Sequence, residues 1–183
     1  IKNVNINPTR TGIITILNKM GAKIRFRNKK IYKGELIANI EIKSIKNLKN
    51  IKLPQKFNSS AIDEFLLIFL VAAKAKGISI FKGLSELDKK ESPRLKWSSK
   101  ILNYMGVKNV LTKNSIKIYG NPNLKLNKTI IIKNFLKDHR VFMMSTIAAL
   151  TCGGRWIINN PESISTSFPS FIKKIKELGG KLN

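Results

Sequence analysis

The chain is poor in cysteine, histidine and acidic residues, with one, one and ten of these among its 183 positions. The lone Cys152 cannot form an intramolecular disulfide, which fits a reducing compartment and predicts a cytoplasmic protein. Its neighbours are apolar residues and glycines, so we interpret it as a buried structural thiol. No apolar run approaches the roughly 20 residues that span a bilayer, so we expect no membrane partner.

The ten acidic residues face 35 basic ones, which gives a formal charge of +25. Such a charge is typical of proteins that bind polyanions, so a basic nucleic-acid-binding module is one alternative. The basic residues are, however, 29 lysines and 6 arginines spread through every segment, and lysine, isoleucine and asparagine dominate the chain. All three have A/T-rich codons, and aromatic residues do not interleave with the lysines as stacking platforms would. We therefore predict no nucleic-acid partner.

One short phrase, aliphatic-x-x-Met/Leu-Gly-x-Lys, occurs three times, at residues 17–23, 102–108 and 175–181. Each copy predicts the end of a helix, a glycine in the left-handed conformation and the entry into a strand. A proline lies 10 to 13 residues before each glycine, which suits the start of a helix. The predicted N-cap residues are the polar residues near these prolines, namely Asn7, Ser92 and Ser167.

Two other segments, residues 62–76 and 141–151, are apolar on nearly every side, which predicts helices buried all round. Each is followed by glycine and a short strand, so the repeated unit is a buried helix, a strand, an amphipathic helix and two strands. This unit occurs about two and a half times and predicts an α/β (α+β) fold with sheets covered by helices. Predicted strands are residues 3–6, 23–27, 38–42, 78–81, 107–111, 115–119, 129–132 and 155–158.

The starts of the helices carry most of the charged residues that could form a site. Equivalent loops of equivalent repeats lie on the same side of a domain, so Asp63, the segment 89–94 and the segment 138–140 should share one face. Cations and carboxylates beside helix N-termini are typical of a site for small, multiply charged anions. A carboxylate held among these cations, such as Glu91, can act as a proton shuttle.

Five phrases carry a resemblance to a known family. They are Asn7-Pro8-Thr9-Arg10-Thr11-Gly12, Ile62-Asp63-Glu64-Phe65, Lys90-Glu91-Ser92-x-Arg94, Asp138-His139-Arg140 and Thr166-Ser167-Phe168-Pro169. In this order and spacing they resemble the EPSP synthases (3-phosphoshikimate 1-carboxyvinyltransferases), within the bacterial class that includes glyphosate-insensitive forms. The resemblance implies the two-domain enolpyruvyl transferase fold, in which each domain has three βαβαββ units around buried central helices. The chain would be the C-terminal part, one incomplete domain with units at 1–57, 58–126 and 127–183.

The resemblance also implies an activity and a set of site residues. The enzyme would transfer the carboxyvinyl (enolpyruvyl) group of phosphoenolpyruvate to the 5-hydroxyl of shikimate 3-phosphate and release phosphate, in aromatic amino-acid biosynthesis. No cofactor and no metal are implied. Asp63 would be the base and contact the shikimate hydroxyls, Glu91 would transfer the proton at the methyl carbon, and Lys90 would bind the shikimate phosphate. Arg94 and Arg140 would bind phosphoenolpyruvate, because guanidinium groups match carboxylates and phosphates bidentately.

The phrases depart from the family pattern at two positions. Pro93 stands where an acidic residue is usual, and Thr166 stands where many members carry a lysine that contacts phosphoenolpyruvate, although relatives in the matched class also have threonine. Arg10 would add charge without contacting a substrate, and His139 is interpreted as a structural hydrogen-bonding residue.

Other functions stay open at this point. A UDP-sugar enolpyruvyl transferase would share the fold and the donor, but it lacks the Lys-Glu-Ser-x-Arg and Asp-His-Arg pairing found here. A remnant that keeps the fold without catalysis is another possibility, and the intact acids and arginines argue against it. Because the chain begins at Ile1 and its first residues already alternate like a strand, we expect an N-terminal part of the same enzyme as its partner. The complete protein is expected to be a monomer, and the chain alone is expected to be inactive.

Overall fold

The structure, a computed structural model, describes residues 1–182 as a mixed arrangement of helices and sheets. Short 3-10 turns precede three of the helices, at residues 55–57 and 59–61, at 85–89 and at 161–164. The elements in chain order are β1 (Val4–Asn5), α1 (Gly12–Lys19), β2 (Lys23–Tyr32), β3 (Glu35–Lys43), α2 (Phe65–Lys74), β4 (Gly77–Lys82), α3 (Arg94–Tyr104), β5 (Asn109–Thr112), β6 (Ser115–Gly120), β7 (Leu126–Ile132), α4 (His139–Cys152), β8 (Gly153–Ile158) and α5 (Phe171–Glu177).

The sheets repeat one topology. The first has the order β1-β3-β2 and the second the order β4-β6-β5, and both are antiparallel. In the third, β7 runs parallel to β8. Lys49 and Lys52 form parallel bridges with Lys76 and Ile80, so this segment lies beside β4 as β7 lies beside β8. The division into units stays a prediction, and these bridges place residues 49–52 with the second sheet.

Helices α2 and α4 form the centre of the core, as the apolar segments predict. Seven of the ten residues of α2 are buried, and α2 packs against α1, α3 and α4. Phe69 packs against Phe81 of β4 with ring centroids 5.1 Å apart and against Phe65 at 5.5 Å. Each fully buried side chain of this size stabilises the fold by about 1.5–3 kcal/mol. A helix that is apolar all round therefore needs the surrounding layers, and α1, α3 and the sheets provide them.

The ends of the amphipathic helices agree with the sequence, and their starts do not. Gly21, Gly106 and Gly179 follow α1, α3 and α5 in the left-handed conformation, with φ of +94°, +75° and +89°. The three predicted N-caps are wrong, because α1 begins at Gly12, α3 at Arg94 and α5 at Phe171, with Thr11, Pro93 and Ser170 at the N-cap positions.

The hydrogen bonds of two misassigned caps explain the error. Asn7 accepts the backbone N–H of Thr9 at 3.0 Å, which forms a local turn instead of a cap. Ser92 lies one residue before the N-cap position of α3, and its side chain is directed to the start of α4, where the hydroxyl donates to the Asp138 carboxylate at 2.8 Å. Asp88 takes over at the start of α3, where its Oδ1 accepts the N–H of Leu95 at 3.0 Å.

Two further findings concern burial. Cys152 ends α4 with 3% of its surface exposed, which confirms a buried thiol. Within residues 1–182, the helices are all too short or too polar to cross a bilayer.

Candidate active site

Three helix starts bring the charged residues of the site together. Asp63 and Glu64 lie in the turn before α2, Lys90 and Glu91 lie in the turn before α3, and Arg94 is the first residue of α3. Because α2, α3 and α4 pack against one another, their starts meet. We call this set the acid–arginine cluster, and its members are Arg10, Asp63, Glu64, Lys90, Glu91, Arg94, Asp138 and Arg140.

The deepest part of the cluster is the pair of Arg94 and Asp138, with side chains that are 1% and 0% exposed. Arg94 Nε donates to Asp138 Oδ2 at 2.9 Å, and Arg94 Nη2 lies 3.4 Å from Oδ1. Ser92 Oγ donates to Oδ2, and the backbone N–H of Arg140 donates to Oδ1 at 2.9 Å. Burial alone would raise the pKa of Asp138, but the hydrogen bonds from Arg94 and Ser92 outweigh it and hold the pKa below its ordinary value.

Asp63 is the carboxylate with the most cationic neighbours. Arg94 Nη1 and Lys90 Nζ lie 3.4 and 3.8 Å from its Oδ1, while Arg140 Nη2 and Arg10 Nη1 lie 3.6 and 3.7 Å from its Oδ2. Most of these distances are ion-pair rather than hydrogen-bond distances. The side chain is 24% exposed, so its oxygens can still accept a hydrogen bond from a bound hydroxyl group.

Glu91 and Glu64 lie at the edge of the cluster. Glu91 Oε2 accepts a hydrogen bond from Arg94 Nη2 while its side chain is 53% exposed. Glu64 Oε1 lies 3.6 Å from Arg140 Nη1, and the same nitrogen donates to the backbone carbonyl of Asp63. Burial raises the pKa of Glu64, and the positive charge of Arg140 compensates only in part. With four cations and four carboxylates, the cluster is formally neutral.

The structure therefore places all five predicted site residues in one cluster, while their chemical roles stay predictions. Asp63, Lys90, Glu91, Arg94 and Arg140 come from three separate segments and meet through the ion pairs given above.

The remaining sequence predictions concern Arg10, His139 and Thr166. Arg10 approaches Asp63, as its predicted contribution of charge requires, although its side chain is 76% exposed. Within residues 1–182, no hydrogen bond or ion pair connects His139 or Thr166 with the cluster.

Sequence reasoning missed the importance of Asp138. An aspartate directly before an apolar helix is a typical N-cap, and Asp138 does accept the N–H of Arg140. Its bond to Arg94 joins residues 44 positions apart, and no local pattern predicts such a contact. In the described part of the chain, no three histidine, cysteine, aspartate or glutamate side chains are grouped so that they could hold a metal ion.

Comparison with protein families and curated proteins agrees with the resemblance seen in the phrases. A family model described as EPSP synthase (3-phosphoshikimate 1-carboxyvinyltransferase) matches residues 1–175. The 3-phosphoshikimate 1-carboxyvinyltransferase of Vesicomyosocius okutanii is 40% identical over 176 residues, which cover 96% of this chain and 40% of that protein. The protein of the same name from Legionella pneumophila (strain Lens) is 40% identical over 172 residues, covering 94% and 38%. The chain thus spans about 40% of the length of these curated relatives.

Solved structures give the same result for the fold. An EPSP synthase from Acinetobacter baumannii superposes with a TM-score of 0.87 at 37% identity, over 95% of this chain and 40% of that one. The enolpyruvyl transferase NikO from Streptomyces tendae superposes with a TM-score of 0.66 over 94% of this chain and 36% of that one. At 15% identity, this likeness shows a shared fold alone. These matches confirm the predicted fold class, with the chain forming a partial domain of it.

Proposed function

The chain belongs to the EPSP synthase family, and from this premise we propose that the complete protein transfers the enolpyruvyl group of phosphoenolpyruvate to the 5-hydroxyl of shikimate 3-phosphate. Phosphate is the second product. The observation that carries the proposal is the meeting of Asp63 and Glu91 with Lys90, Arg94 and Arg140 at three helix starts. The reaction needs two proton-transfer groups and several cations, and the cluster offers both. Such an enzyme would act in aromatic amino-acid biosynthesis in the cytoplasm.

Phosphoenolpyruvate would bind at the outer edge of Arg94. The Nε side of this guanidinium is bonded to Asp138, so Nη1 and Nη2 are the atoms that face Asp63 and Glu91. A carboxylate or phosphate group of the substrate would replace Glu91 at Nη2, because Glu91 is half exposed and can turn away without disturbing a buried contact. Arg140, on the neighbouring helix start, would provide the second guanidinium fork.

Shikimate 3-phosphate would bind beside Asp63 and Lys90. Lys90 Nζ would contact its phosphate group, and Asp63 would accept the hydrogen of the 5-hydroxyl group. Since Lys90 already lies 3.8 Å from Asp63, one bound molecule could reach both side chains. This arrangement would bring the hydroxyl oxygen to the same face as the vinyl group that we assign to the two arginines.

The reaction would then proceed by addition and elimination. Glu91 would donate a proton to the methylene carbon of phosphoenolpyruvate while Asp63 takes the hydroxyl proton and the hydroxyl oxygen bonds to the adjacent carbon. In the tetrahedral intermediate, the bond between that carbon and the phosphate oxygen would break, and the leaving phosphate would take up the proton that Asp63 received from the hydroxyl group. Glu91 would take a proton back from the methyl group, which restores the double bond and leaves phosphate as the second product. Cations that remain fixed through both steps would stabilise the changing negative charge.

Steady-state phosphate release by the complete protein tests the proposal. We expect release only when both substrates are present, and a UDP-sugar should not replace shikimate 3-phosphate. Glu91→Gln should lower kcat about 100-fold or more, the usual contribution of a general acid–base group. Glu86→Gln is the matched control, since Glu86 lies in the turn before α3 and, within residues 1–182, forms its ion pair with the exposed Lys89. Release without shikimate 3-phosphate would contradict the proposed reaction, and unchanged kcat in Glu91→Gln would remove Glu91 from its role.

A further inference from the structure

The buried pair of Arg94 and Asp138 needs an explanation beyond stability. Removing two charges from water is costly, and an apolar pair of similar volume often stabilises a fold equally well. Both side chains are nevertheless almost completely buried, at 1% and 0% exposure. Ser92, which is also buried, donates its hydroxyl hydrogen to the same carboxylate. Three buried polar groups thus converge at one point in the deepest part of the cluster.

The geometry of this pair fixes the orientation of Arg94. Asp138 contacts Nε and Nη2 of the guanidinium group, so the two planar groups lie edge to edge rather than meeting at one atom. The arginine is left with Nη1 and the far side of Nη2 directed to Asp63 and Glu91. Rotation about the last side-chain bonds of Arg94 would break the bond from Nε, and nothing exposed could replace it.

The same carboxylate also fixes the second arginine. Asp138 is the N-cap of α4, and its Oδ1 accepts the backbone N–H of Arg140 at 2.9 Å. One buried side chain therefore connects the guanidinium group that begins α3 with the backbone from which Arg140 extends. A shift of Asp138 would change the spacing between the two arginines.

We propose that Asp138 is a positioning residue that sets the plane of the Arg94 guanidinium and the distance from it to Arg140. Asp138 has no exposed surface, so it acts through the two arginines and not by contact with a substrate. The inference rests on the proposed function, in which both arginines bind phosphoenolpyruvate. Asp138 would therefore affect the affinity for phosphoenolpyruvate, while the affinity for shikimate 3-phosphate would depend on other side chains.

Asp138→Asn separates positioning from helix capping. Asparagine is as good an N-cap as aspartate, so α4 should keep its start. The amide, however, lacks the charge, and when its oxygen keeps the cap of α4, its NH2 group faces Nε of Arg94, which is also a donor. In the complete protein we expect the KM for phosphoenolpyruvate to rise about 10-fold or more, as for the loss of a bidentate charged contact. The KM for shikimate 3-phosphate should stay within about 2-fold of the wild-type value.

A double-mutant cycle shows whether Asp138 acts through Arg94. Because Asp138→Asn keeps the cap of α4, its effect on binding should depend on the Arg94 guanidinium, so the KM for phosphoenolpyruvate of the double variant Asp138→Asn/Arg94→Lys should be close to that of Arg94→Lys alone. Asp88→Asn is the matched control, since Asp88 caps α3 through the N–H groups of Leu95 and Lys96. Both KM values should be unchanged in this control. If the Asp138→Asn protein does not fold, Ser92→Ala replaces it and should give the same pattern at smaller amplitude.

Binding of inorganic phosphate, measured by calorimetry, keeps this inference separate from the proposed function. A wild-type protein that binds phosphate but does not react the two substrates would contradict the proposed function. In that event, weaker phosphate binding by Asp138→Asn would still support positioning, and equal binding would overturn it. The positioning role would also be overturned if Asp138→Asn changed the KM values for both substrates equally. It would likewise be overturned if the effects of Asp138→Asn and Arg94→Lys on KM multiplied in the double variant.

Discussion

Single residues of the acid–arginine cluster differ in how much of their pairing a ligand can exchange. Arg94 and Asp138 are held on all sides, and breaking such a buried pair typically costs about 3–5 kcal/mol. Glu91 and Arg10 are more than half exposed, so water can solvate either side chain when its ion pair opens. A substrate anion can therefore displace Glu91 at little cost while the buried base of the cluster keeps its shape.

Lys90 provides a residue-scale test of substrate assignment. Lys90→Met keeps most of the side-chain volume and removes the charge that we assign to the shikimate phosphate. A hydrogen bond to a charged group is worth about 1.5–3 kcal/mol, which corresponds to a rise of about 10- to 150-fold in the KM for shikimate 3-phosphate. Lys89→Met is the control, because the Lys89 side chain is exposed and pairs with Glu86. A larger rise in the KM for phosphoenolpyruvate than for shikimate 3-phosphate would contradict the assignment.

Glu64 should make stability depend on pH. Burial raises its folded-state pKa above the ordinary value of 4.5, so folding disfavours the ionised form. The destabilisation is absent below pH 4.5 and grows as the pH rises through the folded-state pKa. In urea unfolding at neutral pH, Glu64→Gln should therefore be more stable than the wild type, and the difference should vanish in acid. Glu86→Gln should not stabilise, because a hydrogen bond from Lys89 lowers the pKa of Glu86. A Glu64→Gln protein that is less stable at neutral pH would contradict this account.

At the scale of helices and strands, the sequence predicts ends that depend on local backbone conformation. Gly21 and Gly106 end helices because glycine adopts positive φ without strain, and that preference is a property of one residue. The cap predicted at Ser92 is wrong because this residue lies one position before the N-cap, and its hydroxyl is directed to a carboxylate 46 positions away, a contact that only the packing of α3 against α4 determines. The hairpin of β2 and β3 is longer than predicted because Ile31 and Tyr32 are exposed and give no alternation to detect.

The candidate site also combines features that the sequence predicts with features that only packing determines. The repeated units indicated which helix starts share a face, so the convergence of Asp63, Glu91 and Arg140 could be predicted without coordinates. Which side chains of the cluster are buried could not be predicted, because nothing in the sequence distinguishes the buried Arg94 from the exposed Arg10. Burial depends on which neighbouring elements cover a side chain, and that is a tertiary property.

Gly120 lies where the end of β6 comes close to the C-terminal end of α2. A Cβ atom at this position would lie 2.1 Å from the carbonyl oxygen of Ala75 and 2.5 Å from that of Ala72. Because both contacts are backbone atoms, Gly120→Ala must move the strand away from the helix end, and we expect a loss of about 3 kcal/mol or more in unfolding free energy, at the upper end of the range for overpacking. Gly34→Ala is the control, since its Cβ would meet open space among the described residues and only its φ of +81° opposes alanine. That strain should cost about 1 kcal/mol. Equal losses in the two variants would contradict the close approach.

For the whole molecule, the net charge and the cluster are separate features. The four cations and four carboxylates of the cluster cancel, so the whole excess of +25 lies elsewhere on the chain. The net charge is therefore no evidence for the site, and the anion binding that we propose for the cluster would depend on the orientation of its cations rather than on a surplus of lysines. This agrees with a compositional origin for the lysines.

The exposure of the cluster predicts how the isolated 183-residue chain will behave. Glu91 and Arg10 are 53% and 76% exposed, so the cluster forms one wall that is open to water on its outer side. Enolpyruvyl transfer needs both substrates aligned and water excluded, and a single wall provides neither. We expect the isolated chain, once circular dichroism has shown it to be folded, to release no measurable phosphate from the two substrates. The complete protein, assayed at the same molar concentration, should turn over, because the rest of the polypeptide can cover that wall. Saturable phosphate release by the isolated chain, abolished by Glu91→Gln, would show that the cluster alone is sufficient for catalysis.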